Sequence, residues 1–345
     1  MIITHGDADG WCSAGIFLLT DIGKKEKIEL TRYATVRYIN ILLKQLLTHQ
    51  DPCKIYIFDL NSDNSENYKN LLIKLSKKGF QITLYDHHPI HSSFDKAIEE
   101  NGVKVIRDIS VCCSELVYRE FKDDFTIKDQ NKAEFLMCIG AIGDKRITKF
   151  VQEKMYTYRW EELFDLYAVL VAGIRDGHDF LNSVLKEKDK NGIGFTKKIY
   201  SRATRKRFWL EKIKSEVLKN CEKIDNRVYI IHIFKKYIGL AAGFLIDQSD
   251  IDYAIAIGDR SPTSALNQSI LFFKEIFGSI FKRKKSKDDK MVRISIRSNK
   301  SINKIITKLA KSSGGHGGGH KFACGARIPK NKMNFFLKSF MKEIK

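Results

Sequence analysis

The chain opens with "MIITHGDADGWC", in which His5, Asp7 and Asp9 take alternate positions where a β-like run meets a glycine-containing turn. Carboxylates set this close repel one another unless something positive lies between them, and Gly10 would let the backbone approach it. The plainer alternative is a strand-to-helix loop in which an Asp caps the helix and a Gly makes the turn. Three further segments repeat these residue types: Asp59 in "YIFDL", Asp86, His87 and His88 in "LYDHHP", and Asp144 in "GAIGD". Together they form a mixed oxygen and nitrogen donor set, which suits Mn²⁺ or Mg²⁺ better than a closed zinc site built on thiolates. Two such ions sharing one carboxylate would clamp both oxygens of a phosphoryl displacement and lower the pKa of a water between them. Phosphoester hydrolysis is the chemistry to expect.

Segments this far apart can meet only if the fold brings their ends to a common edge. "MIITH", "KIYIFDL", "QITLYDHH" and "KVIRDI" read as strands, while "YINILLKQLL", "NYKNLLIKLSKKG" and "SELVYREFK" carry helical spacing. That alternation predicts a parallel sheet covered by helices, with ligands gathered beyond the carboxyl ends of its strands. The first three strand candidates each end in candidate ligands. Residues from about 130 to 185 read as mainly helical, a basic helical stretch follows, and strands return at "RVYIIHI". The expected organisation is an α/β domain with a parallel sheet over 1–185, a helical linker over 186–226 and a smaller mixed-sheet α/β domain over 227–345, with the active site in the cleft between the domains.

With 345 residues, 43% of them hydrophobic, the chain can build two cores. Its 61 Lys and Arg against 41 Asp and Glu give a net charge of +20, which points to a polyanionic partner such as nucleic acid. Seven scattered cysteines without a C-x-x-C pair argue against a disulfide or zinc framework. No charge-free apolar run nears the roughly 18 residues that cross a bilayer, and the opening residues lack a targeting progression. A cytoplasmic protein with no membrane association is expected.

Taken in order, "HGDADG", the Asp of "YIFD", "DHH" and the Asp of "GAIGD" resemble the four metal motifs of the DHH phosphoesterases. "GGHGGGH" resembles the glycine-rich motif of their associated C-terminal domain. The resemblance implies two Mn²⁺ ions, with Mg²⁺ as the alternative. It implies Asp7 and Asp9 as ligands of different ions, Asp59 as the bridge, and His87 and Asp144 completing the second site. His5 joins the ligands, as in some RecJ-like members. His88 would face the substrate phosphate, and Asp86 would orient an imidazole from behind.

In the C-terminal motif, Gly317, Gly318 and Gly319 would let a phosphate or sugar approach backbone N–H groups, and His320 could add a hydrogen bond or charge. Arg297, followed by Ser298 in "ISIRSN", resembles the family's substrate-binding arginine. Tyr200, Phe208 and Trp209 of the basic stretch are candidates for base stacking, against a buried role. Residues 262–290, with Phe272, Phe273, Phe277 and Phe281, read as an insertion with a basic end, and "RDGHD" around His178 as a polar loop.

The glycine–histidine motif argues against family II pyrophosphatases, and the length leaves no room for the oligonucleotide-binding barrel of bacterial RecJ. What remains are archaeal RecJ-like exonucleases and enzymes that hydrolyse very short RNA, phosphoadenosine phosphate or cyclic dinucleotides. The charge favours the first group, because each neutralised phosphate of a longer strand adds affinity. The expected function is therefore Mn²⁺-dependent release of mononucleotides from the 3′ end of single-stranded DNA or RNA. Single-stranded nucleic acid is the expected partner, with replication or repair proteins as further candidates. An inactive scaffold of a replication complex is the alternative from another class, but several buried aspartates would be costly without metals.

Overall fold

A computed structural model describes residues 1–26, 31–62, 65–158, 168, 169, 171, 177–186, 197–259 and 290–344. The chain divides into two compact units, Met1–Phe208 and Trp209–Lys345.

Five strands build the sheet of the first unit: β1 (Ile2–His5), β2 (Thr31–Ala34), β3 (Lys54–Phe58), β4 (Gln81–Asp86) and β5 (Lys104–Arg107). Their order is β2-β1-β3-β4-β5 and every pairing is parallel. Period-two alternation sorts their side chains between two cores. Ile55 and Ile57 join a cluster with Leu43 of α2 (Ile39–His49), Leu72 of α3 (Ser65–Lys77) and Ile98 of α4 (Ser92–Glu99). On the opposite face Phe58 joins Trp11 and Phe17 of α1 (Ala8–Leu18), Val117 of α5 (Cys113–Phe121) and Leu136 of α6 (Ile127–Gly143). Helices α7 (Lys149–Tyr158), α8 (His178–Lys186) and α9 (Lys197–Asn220) follow.

The register decides where the strand ends fall. Thr4 lies opposite Phe58, Phe58 opposite Tyr85, and Asp86 opposite Arg107. One residue beyond the first two pairs, His5, Asp59, Asp86 and Arg107 therefore line up across four neighbouring chain segments. The expected convergence at the carboxyl edge is present.

The second unit contains β6 (Glu222–Asp225), β7 (Val228–His232), β8 (Tyr253–Ile257), β9 (Met291–Ser298), β10 (His316–His320) and β11 (Ala323–Pro329). They run in the order β10-β11-β9-β8-β7-β6, with β7 and β8 parallel and the other pairs antiparallel. Ile213 and Val217 of α9 and Ala241 of α10 (Ile238–Ile246) cover one face of this mixed sheet, and α11 (Asn303–Ser312) and α12 (Met333–Glu343) cover the other. The glycine stretch is thus an edge strand, not a loop. Residues 262–289 of the expected insertion lie outside the described residues. Among the described residues, no helix is long and apolar enough to cross a membrane.

Candidate metal centre

Asp7 shows that capping and convergence are compatible. It is the N-cap of α1, and its Oδ1 accepts a hydrogen bond from the Gly10 N–H at 3.1 Å. Its Oδ2 lies 2.7 Å from His5 Nδ1. Gly10 serves close packing, because a Cβ there would come within 2.5 Å of the His5 carbonyl oxygen. Within the first turn of the helix, Asp9 is buried, and its two oxygens accept from the N–H groups of Cys113 and Ser114 at 2.7 and 2.8 Å. The N-terminus of α5 thus fixes this carboxylate with two orphan donors and a favourable dipole.

Asp59 follows β3 with φ at 56°, in the left-handed region that few non-glycine residues enter. Its side chain is only 3% exposed, and its two oxygens face opposite neighbours. Oδ2 is 3.4 Å from His5 Nδ1, while Oδ1 is 3.1 Å from His87 Nε2 and 3.9 Å from His88 Nδ1. His87 in turn lies 3.7 Å from Asp9 Oδ2 and 3.8 Å from Asp144 Oδ2. Asp144 caps the C-terminus of α6, and Arg146 Nε stands 3.7 Å from the same oxygen.

All eight expected residues of this half come together. Three groups of potential ligand atoms, each within 4.8 Å of one another, comprise His5, Asp7 and Asp59; Asp59, His87 and His88; and Asp9, His87 and Asp144. Asp59 is common to the first two and His87 to the last two. Asp86 stays out of these groups. It bonds His88 Nδ1 at 2.7 Å, and its other oxygen meets Arg107.

The electrostatics fit a cation. Burial, with the charges of Asp7 and Asp9, pushes the Asp59 carboxyl up to about 7, and burial beside Asp9 brings Asp144 to about 6. Burial works to lower the histidines, but Asp59 and Asp7 outweigh it and hold His5 up at about 10, while Asp59, Asp9 and Asp144 hold His87 at about 9. Imidazolium protons supply the positive charge here, and a bound divalent ion would displace them. Asp59 Oδ1, His5 Nδ1 and His87 Nδ1 are buried, yet none is aligned in a hydrogen bond. Carboxylate oxygens and imidazole nitrogens converging in this way fit Mn²⁺ or Mg²⁺.

Arg107 and the Cys113 and Ser114 amides are additions to the residues read from the sequence. Arg107 pairs with Asp95 through Nε at 2.7 Å and Nη2 at 3.0 Å, and it donates to the His88 carbonyl at 2.9 Å. It clamps the turn that carries His87 and His88. It ends β5 opposite Asp86, the last residue of the neighbouring β4.

In the second unit, register places His320, Ala323 and Arg297 at one level across β10, β11 and β9. Arg297 is partly buried, which lowers its pKa. Ser298 is buried, and its Oγ accepts from the Lys300 N–H at 2.9 Å. The three glycines differ. A Cβ on Gly317 would lie 2.8 Å from Ala310 Cβ, and one on Gly319, at φ 142°, would lie 2.4 Å from the Ala323 carbonyl oxygen. Gly318 would meet only Thr307 Oγ1, at an ordinary 3.7 Å. Trp209 packs edge-on against Tyr237 at 5.4 Å, whereas Phe208 is exposed and the Tyr200 side chain lies outside the described residues. His178 is a structural contact, with Nε2 2.9 Å from the Thr31 carbonyl oxygen.

Comparison with known proteins agrees with this architecture. Residues 253–345 match the DHHA1 domain. No curated protein matches the chain in sequence. Among solved structures, the DHH domain of a protein described as belonging to a family of ribosomal proteins aligns over 99% of this chain and 85% of its own, at TM-score 0.67 and 15% identity. PggH, a pGpG-specific phosphodiesterase from Vibrio cholerae, aligns over 99% and 98% at TM-score 0.56 and 12% identity. RecJ from Thermus thermophilus, solved with Mn²⁺, aligns over 98% of this chain but 50% of its own, at TM-score 0.57 and 12% identity. Identities this low establish a shared fold. The family match itself is confined to residues 253–345.

Proposed function

We propose that the protein is a metal-dependent phosphodiesterase that releases mononucleotides from the 3′ end of single-stranded DNA or RNA. The observation that carries this reading is Asp59, whose two oxygens face His5 and His87 respectively, as a carboxylate shared by two ions would. In this reading His5, Asp7 and Asp59 hold one Mn²⁺, and Asp9, Asp59, His87 and Asp144 hold the other, with Mg²⁺ as the alternative. Bound at these residues, divalent ions would neutralise phosphate charge and lower the pKa of a nearby water. The protein's own groups fix the geometry: the α5 amides hold Asp9, and Asp86 with Arg107 orients His88 towards the substrate phosphate. Residues 1–185 serve as the metal-holding domain. Residues 227–345, through Arg297, Ser298, Gly317, Gly318, Gly319 and His320, serve as the substrate-binding domain, and 186–226 link the two. The net charge of +20 supports a strand substrate, and the 3′ polarity follows the resemblance to archaeal RecJ-like proteins without the extra barrel.

A second reading, a phosphodiesterase of linear dinucleotides, is favoured by alignment over 98% of PggH against half of RecJ. One assay separates the two. With Mn²⁺, a 5′-labelled single strand should yield a descending ladder that chelator abolishes. Labelled mononucleotide at the earliest times would reverse the polarity, and cleavage of pGpG with the strand untouched would favour the second reading. Hydrolysis of neither substrate would overturn both.

A further inference from the structure

We propose that Tyr33 is a nucleobase-stacking platform for the nucleotide whose phosphate reaches the metal centre, an inference that rests on the function proposed above. Tyr33 sits on β2, the edge strand of the first sheet, and is 47% exposed. Its ring lies against Gly6, the residue between the candidate ligands His5 and Asp7. A Cβ on Gly6 would come 3.3 Å from Tyr33 Cδ2 and 4.0 Å from Cε2, so the ring rests on the backbone of the ligand loop itself. Behind it stands the fully buried Trp11, its ring centroid 6.4 Å away at 44°. Trp11 cannot retreat, because His178 packs edge-on at 5.7 Å and a Cβ on Gly177 would fall 2.0 Å from its ring.

A half-exposed aromatic ring, backed by a rigid one and seated beside a phosphate site, offers what a nucleobase recognises. Every base has a π-face, so stacking attracts without selecting sequence, and a ring already fixed in place loses little entropy on binding. Strand propensity alone would account for a tyrosine on β2. It does not account for that ring lying on the glycine between two ligands.

The test measures binding of a nuclease-resistant phosphorothioate strand, with a single abasic site moved along it, to the full chain in Mg²⁺. Wild type should lose affinity when the abasic site reaches one register. Tyr33→Ala should bind the intact strand at least about fivefold more weakly, the lower bound for a base–aromatic stack, and should no longer sense the abasic site at that register. Tyr33→Phe and Tyr33→Trp should behave as wild type, as should Tyr156→Ala, which removes a tyrosine that is also exposed. A wild-type abasic register that persists in Tyr33→Ala would overturn the platform alone. Equal weakening of intact and abasic strands by Tyr33→Ala would mean that the ring is structural. Absence of any strand binding by wild type would overturn the functional reading beneath it.

Discussion

Asp59 combines a left-handed backbone, deep burial and a raised carboxyl pKa at one position. Asn adopts φ near 56° about as readily as Asp, whereas Ala would add backbone strain to the loss of charge, so Asp59→Asn is the cleaner probe. His5, His87 and Asp59 share one sign of pH dependence, whereas the lowered carboxyls of Asp7 and Asp86 act the opposite way and only at pH below their ordinary 3.8. Without metal, His5 at about 10 and His87 at about 9 lie above their ordinary 6.5, so their stabilisation is complete below 6.5 and lost as pH rises through those values. Asp59, raised from 3.8 to about 7, acts the same way, because the folded state holds its proton more tightly. The thermal midpoint of chelator-treated protein should therefore fall between pH 6.5 and 9, and Asp59→Asn, which removes the anion facing both imidazoles, should flatten that fall. The same variant should lose Mn²⁺-dependent hydrolysis by at least about 100-fold, the upper scale for disturbing a group that supports a metal site. A midpoint that rises with pH would contradict the assignment. The ligand types were legible in the sequence because carboxylates and imidazoles recur at the ends of three strand candidates and of one helical run, a recurrence that capping of any single turn does not explain. Arg107 was not, since a strand-end arginine has many.

At the scale of elements, alternation exposed β1, β3, β4 and β5, each with apolar residues serving one core or both. β2 escaped because it is four residues long, carries two exposed side chains and depends on β1 for its pairing. β10 escaped because three consecutive glycines disfavour a strand, and only pairing with β11 makes it one. That strand yields a separable pair of variants. Gly319→Ala must place a side chain at φ 142° against the Ala323 carbonyl and should lose about 1 kcal/mol or more of stability. Gly318→Ala should keep the wild-type thermal midpoint, since its Cβ meets nothing closer than 3.7 Å, yet raise KM about fivefold if a substrate group bonds to the backbone there, an effect of ~1 kcal/mol. Unchanged kinetics in a folded Gly318→Ala protein would make the motif purely structural.

At the scale of the molecule, the excess of 61 basic over 41 acidic residues distinguishes the two substrate readings. A strand neutralising about four phosphates should show affinity falling with salt at a log–log slope near −3, roughly 0.7 per phosphate, whereas a dinucleotide should respond far less. Equal, shallow salt dependence for both would remove charge as an argument for strand binding. The two-unit α/β organisation was legible because the strand–helix rhythm changes along the chain, and because the metal motifs and the glycine–histidine motif fall in different halves. The change of core within the continuous helix α9, where Ala203 belongs to one cluster and Val217 to another, was not, since a basic amphipathic helix does not announce which core its apolar residues enter. The hydrogen bonds that Cys113 and Ser114 donate to Asp9 reach 104 and 105 residues along the chain, and Asp144 lies farther still. During synthesis, therefore, the first aspartates leave the ribosome long before the groups that orient them exist. The nascent chain cannot bring all eight residues together until Asp144, at the end of α6, has emerged, so any metal loading there would be a late event in the synthesis of the first unit.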